Sequence, residues 1–189
     1  MKYTLGFRVW HWLSALVILG LLGTVFLRKT FLNWRDNAQI IMSKFSEMGV
    51  VITKEQAKIV AQTIRDGMWE WHIILGYALV FLILYRICLF FTNKSTKETF
   101  SSLTLHKKGV KSLYYVFYAT LVFMSVSGLV IEFYEFLGLA KETAHDIAEA
   151  HEAVFNFIMI FVPLHIAGVI IAENKDEKGL VSTMINGKS

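Results

Sequence analysis

The chain has 189 residues, of which 55% are hydrophobic and only 18% are charged, with a formal net charge of +4. An average soluble domain is about 45–50% apolar and about 25% charged, so a soluble core of this size cannot bury so many apolar residues, and intrinsic disorder is excluded. The single cysteine, Cys88, excludes disulfide frameworks, thiolate metal sites, iron–sulfur clusters and CxxCH haem attachment within this chain. We therefore predict an integral membrane protein whose basic charge lies at a membrane surface and does not bind nucleic acid.

Four stretches of the chain are long and apolar enough to predict membrane-spanning helices. Three of them are uncharged over 19 or 20 residues, and the second in chain order is interrupted by Arg86. About 20 apolar residues cross a hydrocarbon core about 30 Å thick, and a helix satisfies its own backbone polar groups there. We predict an all-α, up-down four-helix membrane bundle in a single domain covering residues 1–189. The predicted spans are about residues 8–28, 69–91, 111–132 and 151–172.

The connections between the spans differ in charge and predict an orientation. Residues 92–111 carry five lysines against one glutamate, whereas residues 132–152 carry six acidic side chains against one lysine. The positive-inside bias places the basic connection, and with it both termini, on the cytoplasmic side. The first span is longer than a signal h-region and contains Trp10 and His11, so we expect it to be retained.

The first connection, residues 29–68, predicts two short amphipathic helices over the outer end of the bundle, which we call the cap. Thr53 and Gln56 form a capping box at the start of the second helix. The sequence leaves two functions open for the cap: a solvated cover over the bundle, or a surface that docks a partner. The apolar positions at helical spacing are Trp34, Ile41, Phe45 and Met48 in the first helix and Ala57, Val60, Ala61 and Ile64 in the second.

Four of the six histidines, His11, His72, His151 and His165, fall in or at the ends of the predicted spans. Ionisable side chains are costly there, so each is a candidate functional residue. His151 and His165 are 14 residues apart, which places them on one helix face about 21 Å apart along the axis. Because successive helices run in opposite directions, His11 lies level with His165 (the inner pair), and His72 lies level with His151 (the outer pair).

Two imidazoles from facing helices suit the iron of a haem, which takes axial ligands on opposite faces of the porphyrin. A bare zinc or copper site requires three or four ligands in one place, and no carboxylate or thiol accompanies either pair. The remaining histidines, His106 and His145, are expected to be solvated. Small residues near the ligands either admit a flat macrocycle or serve ordinary helix packing in the membrane. They are Gly20, Gly23, Gly76, Gly128 and Gly168.

Two arginines are candidates for binding haem propionates. Arg86 is 14 residues after His72 and therefore lies on the same helix face at the level of the inner pair. Arg8 is one turn before His11. A guanidinium binds a carboxylate through two parallel hydrogen bonds, although both arginines are equally well explained as anchors at the cytoplasmic interface.

Three motifs resemble the bacterial cytochrome b561 family: RVWHW at residues 8–12, WEWH at residues 69–72 and HEAVFNFIMIFVPLH at residues 151–165. The superfamily includes the b-type cytochrome subunits of nickel–iron hydrogenases and formate dehydrogenases. The resemblance covers nearly the whole chain. It implies a multi-pass protein of the bacterial inner membrane with two non-covalent b haems, ligated by the four histidines. The first connection is longer than in the shortest stand-alone members.

The leading hypothesis is a dihaem cytochrome that transfers electrons between the quinone pool and a periplasmic or membrane-associated redox protein. The alternative is a self-sufficient oxidoreductase that reacts with a small molecule such as superoxide and reduces quinone. Arg28, Lys29 and Arg65, near the outer ends of the helices, fit either a surface that docks a redox protein or a basic entrance for a small substrate. A haem-free transporter is disfavoured because the polar residues within the spans are nearly all histidine. Membrane lipid and a quinone are expected partners, and homodimerisation is left open.

Overall fold

The structure is a computed structural model that describes residues 3–92, 104–175 and 178–187. Within these ranges every regular element is an α-helix, which confirms the predicted all-α class. Lys94, Lys97 and Glu98 of the predicted basic connection lie outside the described residues. The helices are α1 (Leu5–Lys29), α2 (Trp34–Glu47), α3 (Lys54–Thr92), α4 (Leu105–Glu132), α5 (Lys141–Lys175) and α6 (Leu180–Asn186).

Four of these helices, α1, α3, α4 and α5, are long and apolar enough to cross a membrane. At about 1.5 Å per residue, the 25 residues of α1 extend about 38 Å and the 39 residues of α3 extend about 58 Å. A hydrocarbon core is about 30 Å thick, so α3 continues well beyond what a membrane requires. The helices are those of the predicted four-helix membrane fold.

The cap differs from its prediction because its second helix is the beginning of α3 and not a separate element. Gly67 lies within α3, and an isolated glycine costs a helix only about 1 kcal/mol relative to alanine. The predicted capping box is confirmed: the Thr53 backbone N–H donates to Gln56 Oε1 at 2.8 Å, and the Gln56 N–H donates to Thr53 Oγ1 at 3.2 Å. The amphipathic segment and the following span are therefore one continuous helix.

Small side chains join α2 to the first part of α3. Ala57 and Ala61 have no exposed surface and are buried with Ala38 of α2. Val60 and Ile64 belong to the same predicted apolar stripe but are 45% and 53% exposed. The buried face of this helix is therefore narrower than its sequence periodicity predicts, and it is built on alanines that let two backbones approach closely.

The chain forms two compact units. The first unit consists of Met1–Ser14 together with Leu79–Ser189, and the second consists of Ala15–Ala78. In the first unit α4 packs on α5, where the Phe117 and Phe161 rings are stacked with centroids 3.9 Å apart. Leu121 and Ile158 are buried in the same unit. The second unit contains the part of α1 from Ala15 onward, the cap and α3 as far as Ala78.

The short helix α6 is tied to the start of α1 within the first unit. The Arg8 guanidinium donates to the Ile185 carbonyl at 3.0 Å, and the Trp12 indole donates to the Met184 carbonyl at 3.2 Å. Carbonyls at the end of a helix lack partners within that helix and carry partial negative charge. Both side chains therefore donate hydrogen bonds to carbonyls at the carboxyl end of α6. These bonds hold α6 beside the turn of α1 that carries His11.

Candidate cofactor sites

The inner pair is brought together by α1 and α5. The His11 and His165 rings are half-buried, and their centroids lie 6.3 Å apart with an interplanar angle of 55°. A metal–imidazole bond is about 2 Å long and the ring centroid lies about 1 Å behind the nitrogen, so two imidazoles on opposite sides of one metal have centroids about 6 Å apart. The observed separation leaves room for one metal ion between the two imidazoles, so His11 and His165 would hold the iron of a haem.

Aromatic side chains of α4 and α5 hold His165 in place. The Phe161 ring is stacked on the imidazole with centroids 5.8 Å apart and an angle of only 6°. Tyr114 meets the imidazole edge-on, and its hydroxyl lies 3.2 Å from His165 Nδ1. A hydrogen bond at Nδ1 orients the ring and leaves Nε2 as the nitrogen that can ligate a metal.

His11 is held differently from its partner. Its Nδ1 atom is buried and has no hydrogen-bond partner among residues 3–92, 104–175 and 178–187. The neighbouring Trp12 ring packs edge-on against the imidazole, with centroids 5.3 Å apart. Buried polar atoms in proteins are normally hydrogen-bonded, so an orphaned ring nitrogen marks His11 as a side chain that packing alone does not explain.

His72 on α3 is anchored by a threonine of α1. The Thr24 hydroxyl lies 2.7 Å from His72 Nδ1 and 2.7 Å from the carbonyl of Leu21, to which it donates its only proton. A hydroxyl has one proton to donate, so Thr24 accepts from His72, and the neutral imidazole carries its proton on Nδ1. The unprotonated nitrogen of His72 is then Nε2, the form that ligates a metal.

His151 on α5 repeats this arrangement with a serine of α4. The Ser127 hydroxyl lies 2.7 Å from the Phe123 carbonyl and 2.8 Å from His151 Nδ1. With the single hydroxyl proton of Ser127 donated to the carbonyl, its oxygen accepts from the Nδ1–H of His151. The Nε2 atom of a neutral His151 is then unprotonated. A Cβ placed on the adjacent Gly128 would lie 3.5 Å from His151 Cε1, an ordinary contact distance, so this glycine lies directly against the ring.

Thr24, Ser127 and Tyr114 were missed in the sequence analysis. Thr24 and Ser127 are 7% and 5% exposed in otherwise apolar helices. A hydroxyl in an apolar span is a detectable signal. It does not identify the partner of the hydroxyl, however. Other serines and threonines occur in α1 and α4, and the sequence does not show which face of each helix is turned toward a histidine.

Arg86 lies among three aromatic rings. Its guanidinium carbon is 5.2 Å from the centroid of Phe7, 5.3 Å from that of Trp10 and 5.6 Å from that of Tyr118. These distances are typical of cation–π contacts. Its Nε atom is buried and unpartnered within the described part of the chain. We call Phe7, Trp10 and Tyr118 the aromatic cage. One member of the cage, Trp10, is the residue before His11 in α1.

The second arginine candidate, Arg8, faces α6. Besides its bond to Ile185, its guanidinium lies so close to Gly187 that a Cβ there would be 3.0 Å from Arg8 Cζ. The structure thus gives Arg8 a hydrogen-bond partner at the end of a helix, whereas the described contacts of the Arg86 guanidinium are with three aromatic rings.

The glycines near the histidines fall into two groups. A Cβ on Gly20 would lie 2.9 Å from Leu75 Cδ1, so Gly20 serves close packing between α1 and α3. A Cβ on Gly76, Gly168 or Gly23 would have no described atom within 4 Å. Gly76 and Gly168 each follow a candidate ligand within about one turn, so space beside these two ligands is kept open on the helix surface.

Other titratable side chains lie apart from the pairs. His145 is paired with Glu149 at 3.4 Å, and both are more than 70% exposed; His106 is exposed as well. Within the described ranges no three His, Cys, Asp or Glu side chains are grouped as a metal site. The inner pair offers two imidazoles, and imidazole is a donor that a haem iron takes.

The fold and the imidazole geometry define a class: a multi-pass α-helical membrane protein with histidines arranged for haem. The chain belongs to the prokaryotic cytochrome b561 family, whose family model matches residues 2–187. It is therefore a b-type cytochrome of a bacterial membrane that works in electron transfer, in contact with lipid and the quinone pool. No curated protein and no solved structure matches the chain.

Proposed function

We propose that the chain binds two b haems and transfers electrons between a quinone and a periplasmic or membrane-associated redox protein. His11 and His165 ligate the inner haem, and His72 and His151 ligate the outer haem. The single observation that carries this proposal is the 6.3 Å separation of the His11 and His165 rings. For the outer haem, support comes from the opposite directions of successive spans and from the hydroxyls that lie within 2.8 Å of Nδ1 of both histidines.

The protein side of this function is to hold ligands still and to set the local charge. A bound haem iron supplies the electron carrier by changing between the ferrous and ferric states. Phe161 and Tyr114 fix the plane of His165, and the aromatic cage fixes Arg86. Fixed dipoles and charges in an apolar site act strongly because little water screens them.

We also propose the orientation that follows from loop charge. The termini and the inner pair lie on the cytoplasmic side, and the cap and the outer pair lie on the periplasmic side. The membrane-spanning parts of the four long helices are about residues 8–28, 69–91, 111–132 and 151–172. The cap is then the first part of the chain that a periplasmic redox protein meets.

The proposal is tested by counting haem. Purified protein is expected to contain two haems per chain with a b-type spectrum, since the chain provides two pairs of ligands and no CxxCH. A pyridine haemochrome assay against protein measured by amino-acid analysis gives the ratio. Redox titration should resolve two components. A ratio of one haem per chain at saturation would contradict the proposal.

Arg86 is expected to raise the midpoint potential of the inner haem. Reduction adds one electron, so a nearby positive charge stabilises the reduced form, either directly or by neutralising a propionate. Arg86→Gln should lower the inner potential by about 59 mV, the equivalent of about tenfold in a one-electron equilibrium, and leave the outer one nearly unchanged. Spectroelectrochemical titration measures both.

Arg86→Lys, which keeps the charge, is the matched control and should retain most of the wild-type potential. Two unchanged potentials at full haem occupancy in Arg86→Gln would show that Arg86 only anchors α3 at the membrane interface. In that case the yield of inserted protein should fall instead.

A further inference from the structure

Two hydroxyl residues on different helices make the same pair of contacts. Thr24 and Ser127 are each buried, and each donates to a carbonyl of its own helix at 2.7 Å. Each also lies within 2.8 Å of the Nδ1 atom of one histidine of the proposed outer pair. The inner pair lacks this arrangement, because His11 Nδ1 has no partner among the described residues and His165 meets a tyrosine.

The carbonyl contacts decide the direction of the hydrogen bonds to the histidines. A threonine or serine hydroxyl in a helix commonly donates to a carbonyl three or four residues earlier, as Thr24 does to Leu21 and Ser127 does to Phe123. With that proton committed, each oxygen can only accept at the imidazole. Both histidines are thereby held with the proton on Nδ1 and the lone pair on Nε2.

We propose that Thr24 and Ser127 are positioning residues that fix the protonation form and ring orientation of His72 and His151 and lower the midpoint potential of the outer haem. This inference rests on the proposed assignment of His72 and His151 to one haem. An Nδ1–H that donates to an oxygen makes the imidazole more basic and a stronger ligand. A stronger donor favours the ferric over the ferrous state, so each hydroxyl shifts the reduction equilibrium toward the oxidised form.

Removing either hydroxyl is therefore expected to raise the potential of one haem component and to weaken its binding. Thr24→Val keeps the side-chain volume and removes the hydroxyl, and Ser127→Ala removes the hydroxyl at the smaller site. Loss of an outer-shell partner typically weakens metal binding about tenfold or more. The expected result is a positive shift in the outer component and about tenfold weaker haem retention, with the inner component unchanged.

Two matched controls come from α4. The Thr120 hydroxyl donates to Val116 at 2.9 Å and contacts no histidine among the described residues, so Thr120→Val removes an equivalent group without touching a proposed ligand. Ser112 is an exposed serine of the same helix, so Ser112→Ala controls for Ser127→Ala. Both controls should retain the two wild-type potentials and full haem content.

The rescue variant Thr24→Ser separates the hydroxyl from the volume of the side chain. It retains the acceptor and should keep the wild-type potential. A shift in Thr24→Ser as large as that in Thr24→Val would mean that methyl packing is responsible and would overturn the inference. Because potentials and haem retention are measured on the purified protein, the result does not depend on electron-transfer activity with a partner.

Spectroelectrochemical titration of the single variants and of Thr24→Val/Ser127→Ala tests the role of the two hydroxyls separately from the proposed binding of two haems. Shifts of the same component by both variants support the inference. Unchanged potentials in a protein that still holds two haems overturn the inference and leave the two-haem proposal standing. Shifts of two different components overturn the shared assignment of the hydroxyls to one haem, and with it the pairing of His72 with His151.

Discussion

His11→Ala and His165→Ala are each expected to remove the same haem and leave the other in place. Each substitution removes one of the two proposed ligands, whose rings lie 6.3 Å apart. A haem with one remaining ligand and no covalent link should be lost during purification. The haem content should fall from two per chain to about one. Redox titration of the two variants should show the loss of one and the same component.

His165→Met sharpens this experiment because methionine also ligates haem iron. A histidine–methionine pair raises the potential relative to two histidines, so this variant should keep more haem than His165→Ala and shift the inner component upward. His145→Ala, at an exposed histidine paired only with Glu149 in the described chain, is the control and should retain both haems. Loss of different components in His11→Ala and His165→Ala would contradict the inner pair.

The second expected result is the loss of the remaining haem in His72→Ala and His151→Ala. Both histidines are held with Nε2 unprotonated by buried hydroxyls, which is the form that ligates iron. Each variant should again retain about one haem per chain, and the component that survives should be the one that His11→Ala removes. Combining His11→Ala with His72→Ala should leave no bound haem.

The pairing of His11 with His165 and of His72 with His151 depends on the alternating direction of the helices, and the alanine variants can contradict it. If His11→Ala and His72→Ala remove the same component, the inner and outer levels derived from alternating helix directions are wrong. His106→Ala, at an exposed histidine at the start of α4, provides the control for this set. It should change neither haem content nor potential.

The features that sequence predicted well are those governed by local periodicity. Hydropathy located four long apolar helices because each must present apolar side chains over its whole length. The capping box of Thr53 and Gln56 was predictable because both partners lie within one turn. The sharing of one face by His151 and His165 follows from helix geometry alone.

The features that sequence did not predict depend on how one helix is rotated against another. Thr24 meets His72 from 48 residues away, and Arg8 meets Ile185 from 177 residues away. No spacing rule joins such positions. The second cap helix and the second span were expected as separate elements, whereas α3 runs through both without interruption.

The aromatic cage of Arg86 has a consequence for the order in which the chain enters the membrane. Phe7 and Trp10 precede Arg86 in the chain, whereas Tyr118 follows it by 32 residues. Synthesis proceeds from the amino terminus, so two rings of the cage are made before the arginine and the third is made afterwards. A circular permutant that begins after α1 would deliver Arg86 before any ring of the cage had been made, and its insertion would carry the full penalty of an uncovered charge.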